Sequence, residues 1–286
     1  MRWIDLREEE FESAVELSGG VCVMPVGCIE KHGQHLPLGI DIMVAEAVAE
    51  AAADEEPVCT FPAFRFGEIA GIRQHHGSVI LSPGLQLQIM EALCDEIART
   101  GFKKIILLNG HGGNHSMLDT LINTVIYKKR DYTVVYRNVF DYSLHDILCD
   151  MEGGEKFSEL TEADVALIRD FVENGKLGGH ADLEETAALL AIAPDLVKLD
   201  RMYAESGERT AVTDEYAAYG LNKATRFWYL EYPNHYAGAH PEGVNERIGR
   251  VLFRKRVARQ AGAVRLMKRD DTLLELTRKW QENWVE

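Results

Sequence analysis

Short apolar runs bounded by turn residues recur along the chain: Val21–Val26 (VCVMPV), 58–64 (VCTFPAF), Lys104–Asn109 (KIILLN) and 133–139 (TVVYRNV). Runs of this length with little polar alternation read as strands buried on both faces. Between them the apolar positions change to three-and-four spacing, which predicts helices at about 42–53, 84–100 and 115–129. Leu87, Met90, Leu93, Cys94 and Ile97 form one such stripe, and Gly101 supplies the stop before the next strand. Strands alternating with helices predict an α/β fold with a mostly parallel central sheet covered on both faces.

From about 141 to 179 the pattern weakens into acidic and glycine-containing stretches around a helix capped at Thr161 with Asp164 at its fourth position. This segment reads as an excursion from the sheet, serving as a lid, an oligomer contact or a plain peripheral helix. Helical spacing then returns at about 183–192, 243–260 and 270–283, joined by the aromatic stretch RFWYLEYPNHYAGAH. With no internal repeat, low-complexity segment or linker, residues 1–286 are expected to form one domain.

Composition narrows the partners. The 286 residues are 46% hydrophobic and 27% charged, which is ordinary globular usage and excludes wholesale disorder. A formal net charge of −15 repels nucleic acid and anionic membrane surfaces, leaving small molecules as the expected partners. The basic run at 247–269 reads as a solvated or subunit-facing helix. Cys22, Cys28, Cys59, Cys94 and Cys149 are odd in number and scattered, with no CxxC pair, which suits reduced thiols in a cytoplasmic protein. The opening MRWIDLREEEFESAV has charges where a signal peptide would be apolar, and no run reaches transmembrane length.

Candidate chemistry sits in three loops. The first, GCIEKHGQHLPLGID at 27–41, follows a predicted strand, where open α/β sheets place their binding crevice. Glu30 and His32 are two apart and can face one ion from an extended segment, while Gly33, Pro37 and Gly39 can fold Asp41 back to the same place. Asp41 also precedes an alanine-rich helix, so a helix cap is its competing role. The second, NGHGGN, places His111 at the end of another strand in a glycine-rich loop that is neither a P-loop nor a GxGxxG fingerprint. The third, GGHADLEET, carries His180 before a helix, and Asp182 with Glu185 fits a capping box that would account for both. His35, His75, His76, His235, His240 and Arg73 are weaker pocket candidates.

These three loops, in this order and spacing, resemble the creatininase (creatinine amidohydrolase) family, through MPVGCIEKHGQHLPLGID, NGHGGN and HADLEET, with YPNHYAGAHPEGVNERIG as a fourth matching segment. The resemblance spans roughly residues 20–265. It implies a three-layer α/β/α sandwich, two divalent metal ions per subunit (zinc first, with manganese or iron as alternatives) and hydrolysis of a C–N bond in a small cyclic amide or formamide by a metal-activated hydroxide. A homohexamer is implied as well. Carried across residue by residue, Glu30, His32, Asp41, His111 and Glu185 bind metal, Asp41 as the bridge, and His180 carries the catalytic proton, with Glu185 counted at the catalytic centre. His35 is assigned a supporting role.

One departure bears on the substrate. Creatininase has a glutamate two residues after the loop histidine and an aromatic between them, where this chain has Gly112 and Gly113. The change removes a carboxylate and part of the substrate wall, and Glu185 is the candidate replacement. Two other readings stay open on the sequence: a hydrolase opening a carbohydrate-like cyclic ketone by C–C cleavage, and a non-catalytic small-ligand binder.

Overall fold

A computed structural model describes residues 1–176, 179–221 and 225–284. Four strands, β1 (Val21–Val26), β2 (Cys59–Thr60), β3 (Lys104–Asn109) and β4 (Thr133–Asn138), form one sheet in the order β2-β1-β3-β4. Every pairing in it is parallel. Before, between and after them lie α1 (Phe11–Leu17), α2 (Ile40–Glu55), α3 (Pro83–Arg99), α4 (His115–Tyr127), α5 (Leu144–Glu152), α6 (Glu162–Glu173), α7 (Leu183–Ile192), α8 (Asp214–Ala218), α9 (Thr225–Glu231), α10 (Glu246–Arg269) and α11 (Thr272–Glu282).

Alternation along the strands separates the two faces. Val21 and Val23 with Ile106 and Leu108 pack against α2, α7 and α10. Cys22, Met24 and Val26 with Ile105 and Leu107 pack against α3 and α4. Burial on both sides explains why these strands read as unbroken apolar runs. The result is a three-layer α/β/α sandwich.

The run at 58–64 forms less strand than its sequence suggests. Regular pairing stops at Thr60, and Pro62 has no N–H to continue it. The chain nevertheless follows β1, with Phe61 N and Phe64 N donating to Val23 O and Pro25 O. Pro25 is tolerated inside β1 for the same reason: its backbone faces this edge beyond the end of β2, where no ladder bond needs its N–H. Within 141–179, Leu144, Ile147, Phe157, Ile168 and Phe171 join the same apolar cluster as α2, α7 and α10. The basic helix α10 has Arg256 buried, while Arg247, Arg250, Arg254, Lys255, Arg259, Arg265 and Lys268 are paired with carboxylates. Among the described residues, no helix is long and apolar enough to cross a membrane.

Asp164 fastens the 141–179 segment to the rest. Its carboxylate accepts Thr161 N and Oγ1, closing the capping box of α6, and also Asn245 Nδ2 at 2.7 Å and Arg247 Nε and Nη2 at 2.8 Å from the start of α10. The Arg247 guanidinium, helped by Thr161 and opposed by burial, holds Asp164 well below the usual carboxylate range. Asp164→Ala should cost about 2–4 kcal/mol in urea unfolding at neutral pH, because several charge-assisted bonds go together. A carboxyl depressed on folding contributes its stability above its unfolded pKa and loses it as pH falls, so the gap between wild type and variant should narrow below about pH 4. A gap independent of pH would contradict this assignment.

Candidate metal centre at the ends of two strands

Val26 pairs with Asn109, so β1 and β3 end at one level and their continuations leave the sheet side by side. The crossover after β1 runs to β2 on one side while β3 lies on the other, which makes this the topological switch point where such sheets bind ligands. Two glycines let these continuations press onto the start of α2. A Cβ at Gly27 would lie 2.8 Å from Ile42 N, and one at Gly110 would collide with the Asp41 carbonyl.

Asp41 lies inside the first turn of α2, because the helix begins at Ile40 with Gly39 in the cap position, so it does not serve as the cap that the sequence also allowed. Its buried carboxylate faces two imidazoles. Oδ1 is 3.2 Å from His32 Nε2, and Oδ2 is 3.1 Å from His111 Nδ1. Oδ2 also accepts the Cys28 thiol at 3.0 Å. Glu30 Oε1 stands 2.9 Å from His111 Nδ1.

Backbone carbonyls fix the histidine tautomers. His111 Nε2 lies 2.9 Å from Glu68 O, and His32 Nδ1 lies 3.2 Å from Glu30 O. A carbonyl can only accept, so those nitrogens carry the protons and the opposite nitrogens turn lone pairs toward carboxylate oxygens. Lone pairs in that arrangement repel unless a proton or a cation lies between them. Glu30 Oε1 and His32 Nε2 are moreover buried without a hydrogen-bond partner, an expense that a bound divalent ion removes. In protons alone, burial opposes charge on His32, but Asp41 and Glu185 outweigh it and push its pKa up to about 10. The donor set is therefore suited to metal.

Donor atoms fall into groups that each lie within 4.8 Å: Cys28, Glu30, Asp41 and His111; His32, His180 and Glu185; and Glu30, His180 and His235. Asp41 touches members of the first two. Glu185 comes from the first turn of α7, where Asp182 caps Glu184 N and Glu185 N. The suggested capping box does not close, since Glu185 Oε2 accepts Ala181 N at 2.6 Å and stands 3.7 Å from His32 Nε2. Burial raises the Glu185 carboxyl to about 8. Glu185 thus lies beside His32, while Cys28 is the fourth donor grouped with His111.

His180 Nε2 donates to Lys31 O at 2.8 Å, which leaves Nδ1 as the free acceptor 3.9 Å from Glu30 Oε1. Burial, then the neighbouring His32, holds its pKa well below the usual histidine value, so the ring is neutral. Reciprocal backbone bonds between His180 and Ala237 zip this loop to the aromatic segment. Of the Gly-Gly pair before His180, Gly178 lies outside the described residues.

That segment contributes more than its sequence suggested. His235, in a left-handed conformation at φ 51°, donates Nε2 to Glu30 Oε2 at 2.6 Å. Trp228 packs edge-on against His180 and His235, with ring centres 5.4 and 5.1 Å away, and Tyr229 stacks on His235. Together with Glu30, His111, Glu185 and the two glycines after His111, these residues line a cavity of about 320 Å³. The pairing of two adjacent aromatics with a histidine six or seven residues on was the available signal for Trp228 and Tyr229.

Other candidates divide. His35 Nε2 lies 3.1 Å from Thr186 Oγ1, next to Glu185, and supports α7 rather than any proposed ligand. His75 reaches the rim, 5.8 Å from the His235 ring. His240 bonds the Tyr236 hydroxyl and packs on Tyr203. Arg73 and His76 are exposed.

Known proteins agree with this architecture. The sequence model of the creatininase family, described as creatinine amidohydrolase, matches residues 5–264. Creatinine amidohydrolase of Pseudomonas putida is 26% identical over 211 residues, 69% of this chain and 74% of that protein. Mycofactocin precursor peptide peptidase of Mycolicibacterium smegmatis is 28% identical over 184 residues, 58% of this chain and 72% of that protein. A mutant creatininase structure of Zn-Zn type superposes with a TM-score of 0.72 at 22% identity, covering 92% of this chain and 96% of that one. The chain belongs to the creatininase family of hydrolases.

Proposed function

We propose that this chain hydrolyses an amide C–N bond, with two divalent ions held by Glu30, His32, Asp41, His111 and Glu185 and with Asp41 shared between them. The observation that carries this reading is the pair of imidazole nitrogens, His32 Nε2 and His111 Nδ1, set against the two oxygens of one buried carboxylate. Ions bound there would lower the pKa of water towards neutrality and polarise the attacked carbonyl. Zinc is the first assignment, and mixed nitrogen and oxygen donors also admit manganese or iron.

The remaining work belongs to the side chains. His180 is neutral, with its proton on Nε2 held by Lys31 O, so Nδ1 can take a proton from the attacking water and pass it to the leaving nitrogen. His235 holds the Glu30 carboxylate in place through Oε2. Trp228 and Tyr229 give a wall on which a flat amide or ring can stack and from which water is excluded.

A cavity of about 320 Å³ suits a small cyclic amide or formamide. A second substrate reading, an amide bond near the end of a peptide, is favoured by the peptidase name of the Mycolicibacterium smegmatis relative. A substrate panel separates them: release of ammonia, amine or formate from small amides supports the first, and a shortened peptide supports the second. A sugar acid from a nitrogen-free ketone, or stoichiometric binding with no turnover, would overturn both. The proposal takes residues 1–286 as one working domain in a cytoplasmic homo-oligomer, a hexamer by family resemblance.

His180→Ala should lower turnover about 10²–10⁴-fold on whichever substrate the panel identifies while elemental analysis finds unchanged metal content. Loss of metal instead would make His180 a ligand. For His235→Ala, metal affinity should fall about 10–100-fold in a chelator competition, with the fold intact by circular dichroism. Unchanged affinity would remove His235 from the account of Glu30.

A further inference from the structure

Cys28 is fully buried where β1 gives way to the first loop, and the proposed hydrolysis leaves it without a role. We infer that its thiolate is the fourth ligand of the ion held by Glu30, Asp41 and His111, making that position softer than the one beside His32 and Glu185. The inference rests on the metal reading above and adds to it the chemical character of one ion.

Contacts between the four donors run in an unbroken chain. Cys28 Sγ is 3.0 Å from Asp41 Oδ2, Oδ2 is 3.1 Å from His111 Nδ1, and Nδ1 is 2.9 Å from Glu30 Oε1. Zinc bonds of about 2.0–2.3 Å put ligand atoms roughly 3.3–3.7 Å apart, so these three contacts would each lengthen by a few tenths of an ångström, and all four donor atoms lie within 4.8 Å of one another. Glu30 Oε1 is an independent sign that something belongs among them, being buried and without a hydrogen-bond partner.

Gly113 offers no substitute. A Cβ there would collide with the His111 ring and lie 2.7 Å from Glu68 O, so no side chain fits at that position. By contrast, the group beside it, His32, His180 and Glu185, contains nitrogen and oxygen alone. A thiolate among carboxylates and an imidazole biases selection towards zinc and away from manganese or magnesium. When the sulfur–metal bond forms, the thiol proton leaves to solvent and Asp41 Oδ2 loses the hydrogen bond it accepted from Cys28.

Cobalt(II) alone, titrated into the metal-stripped 286-residue chain, reads the ligand directly. The expected spectrum has visible ligand-field bands and a near-ultraviolet sulfur-to-cobalt charge-transfer band, with the latter kept in Cys149→Ser and lost in Cys28→Ser. Cys149 is the appropriate control because it is exposed and its Sγ lies 3.6 Å from His145 Nδ1. Ligand-field bands without charge transfer in wild type would overturn the inference and leave the metal reading standing, whereas no bound cobalt would sink both. A charge-transfer band that disappears with Cys149 rather than Cys28 also overturns it. Should Cys28→Ser fail to fold, the wild-type and Cys149→Ser spectra decide the matter. In a folded Cys28→Ser protein, preference for zinc over manganese should fall about tenfold or more.

Discussion

Everything at the strand ends depends on one buried carboxylate, Asp41, set between two histidines whose other ring nitrogens donate to backbone carbonyls. Isolated in the interior, such a group would be costly, and its neighbours would repel one another. The fold holds it there by rigid means: the first turn of α2 fixes its backbone, and glycines 27 and 110 allow two strand ends to close over it. Neutralisation is then the requirement the rest of the site must meet. Histidine protonation or bound cations both meet it, and the buried unpartnered atoms of Glu30 and His32 favour cations.

The arrangement also explains how distant parts of the chain come to share one cavity. β1 and β3 deliver Glu30, His32 and His111 to the switch point, and α7 brings Glu185 from farther along the chain. Pairing of His180 with Ala237 carries both the neutral histidine and the His235 buttress to the same place. Charge-bearing residues therefore come from the loops after β1 and β3 and from the first turns of α2 and α7, while the aromatic wall comes from α9 and its following turn. The two are coupled through His235, which Tyr229 stacks on and which bonds the Glu30 carboxylate.

Much of this was legible in the sequence because it depends on local pattern. Apolar runs located β1, β3 and β4 closely, and three-and-four spacing located the principal helices. The strand at 58–64 shrank because Pro62 interrupts pairing, a backbone constraint that hydrophobicity does not report. In the site, Glu30, His32 and His111 lie in the loops that follow strands and Asp41 opens the helix after the first of them, so chain order implied that they meet. Cys28 was not legible as a donor, and His235 was legible only as a weaker pocket candidate, not as the partner of Glu30. The direction of Cys28 is set by how closely Gly27 approaches α2, and that of His235 by a left-handed turn far along the chain. Glu185 was ambiguous for a related reason, since a capping box and a turn toward His32 share the same spacing.

The central claim is that Asp41 is shared by two ions. Elemental analysis of purified wild type and Asp41→Ala, with folding checked by circular dichroism, tests it most directly. The account predicts about two divalent ions per chain in wild type and loss of both positions, or retention of no more than one weakly held ion, in the variant. Full metal content in a folded Asp41→Ala protein, with activity unchanged, would contradict it.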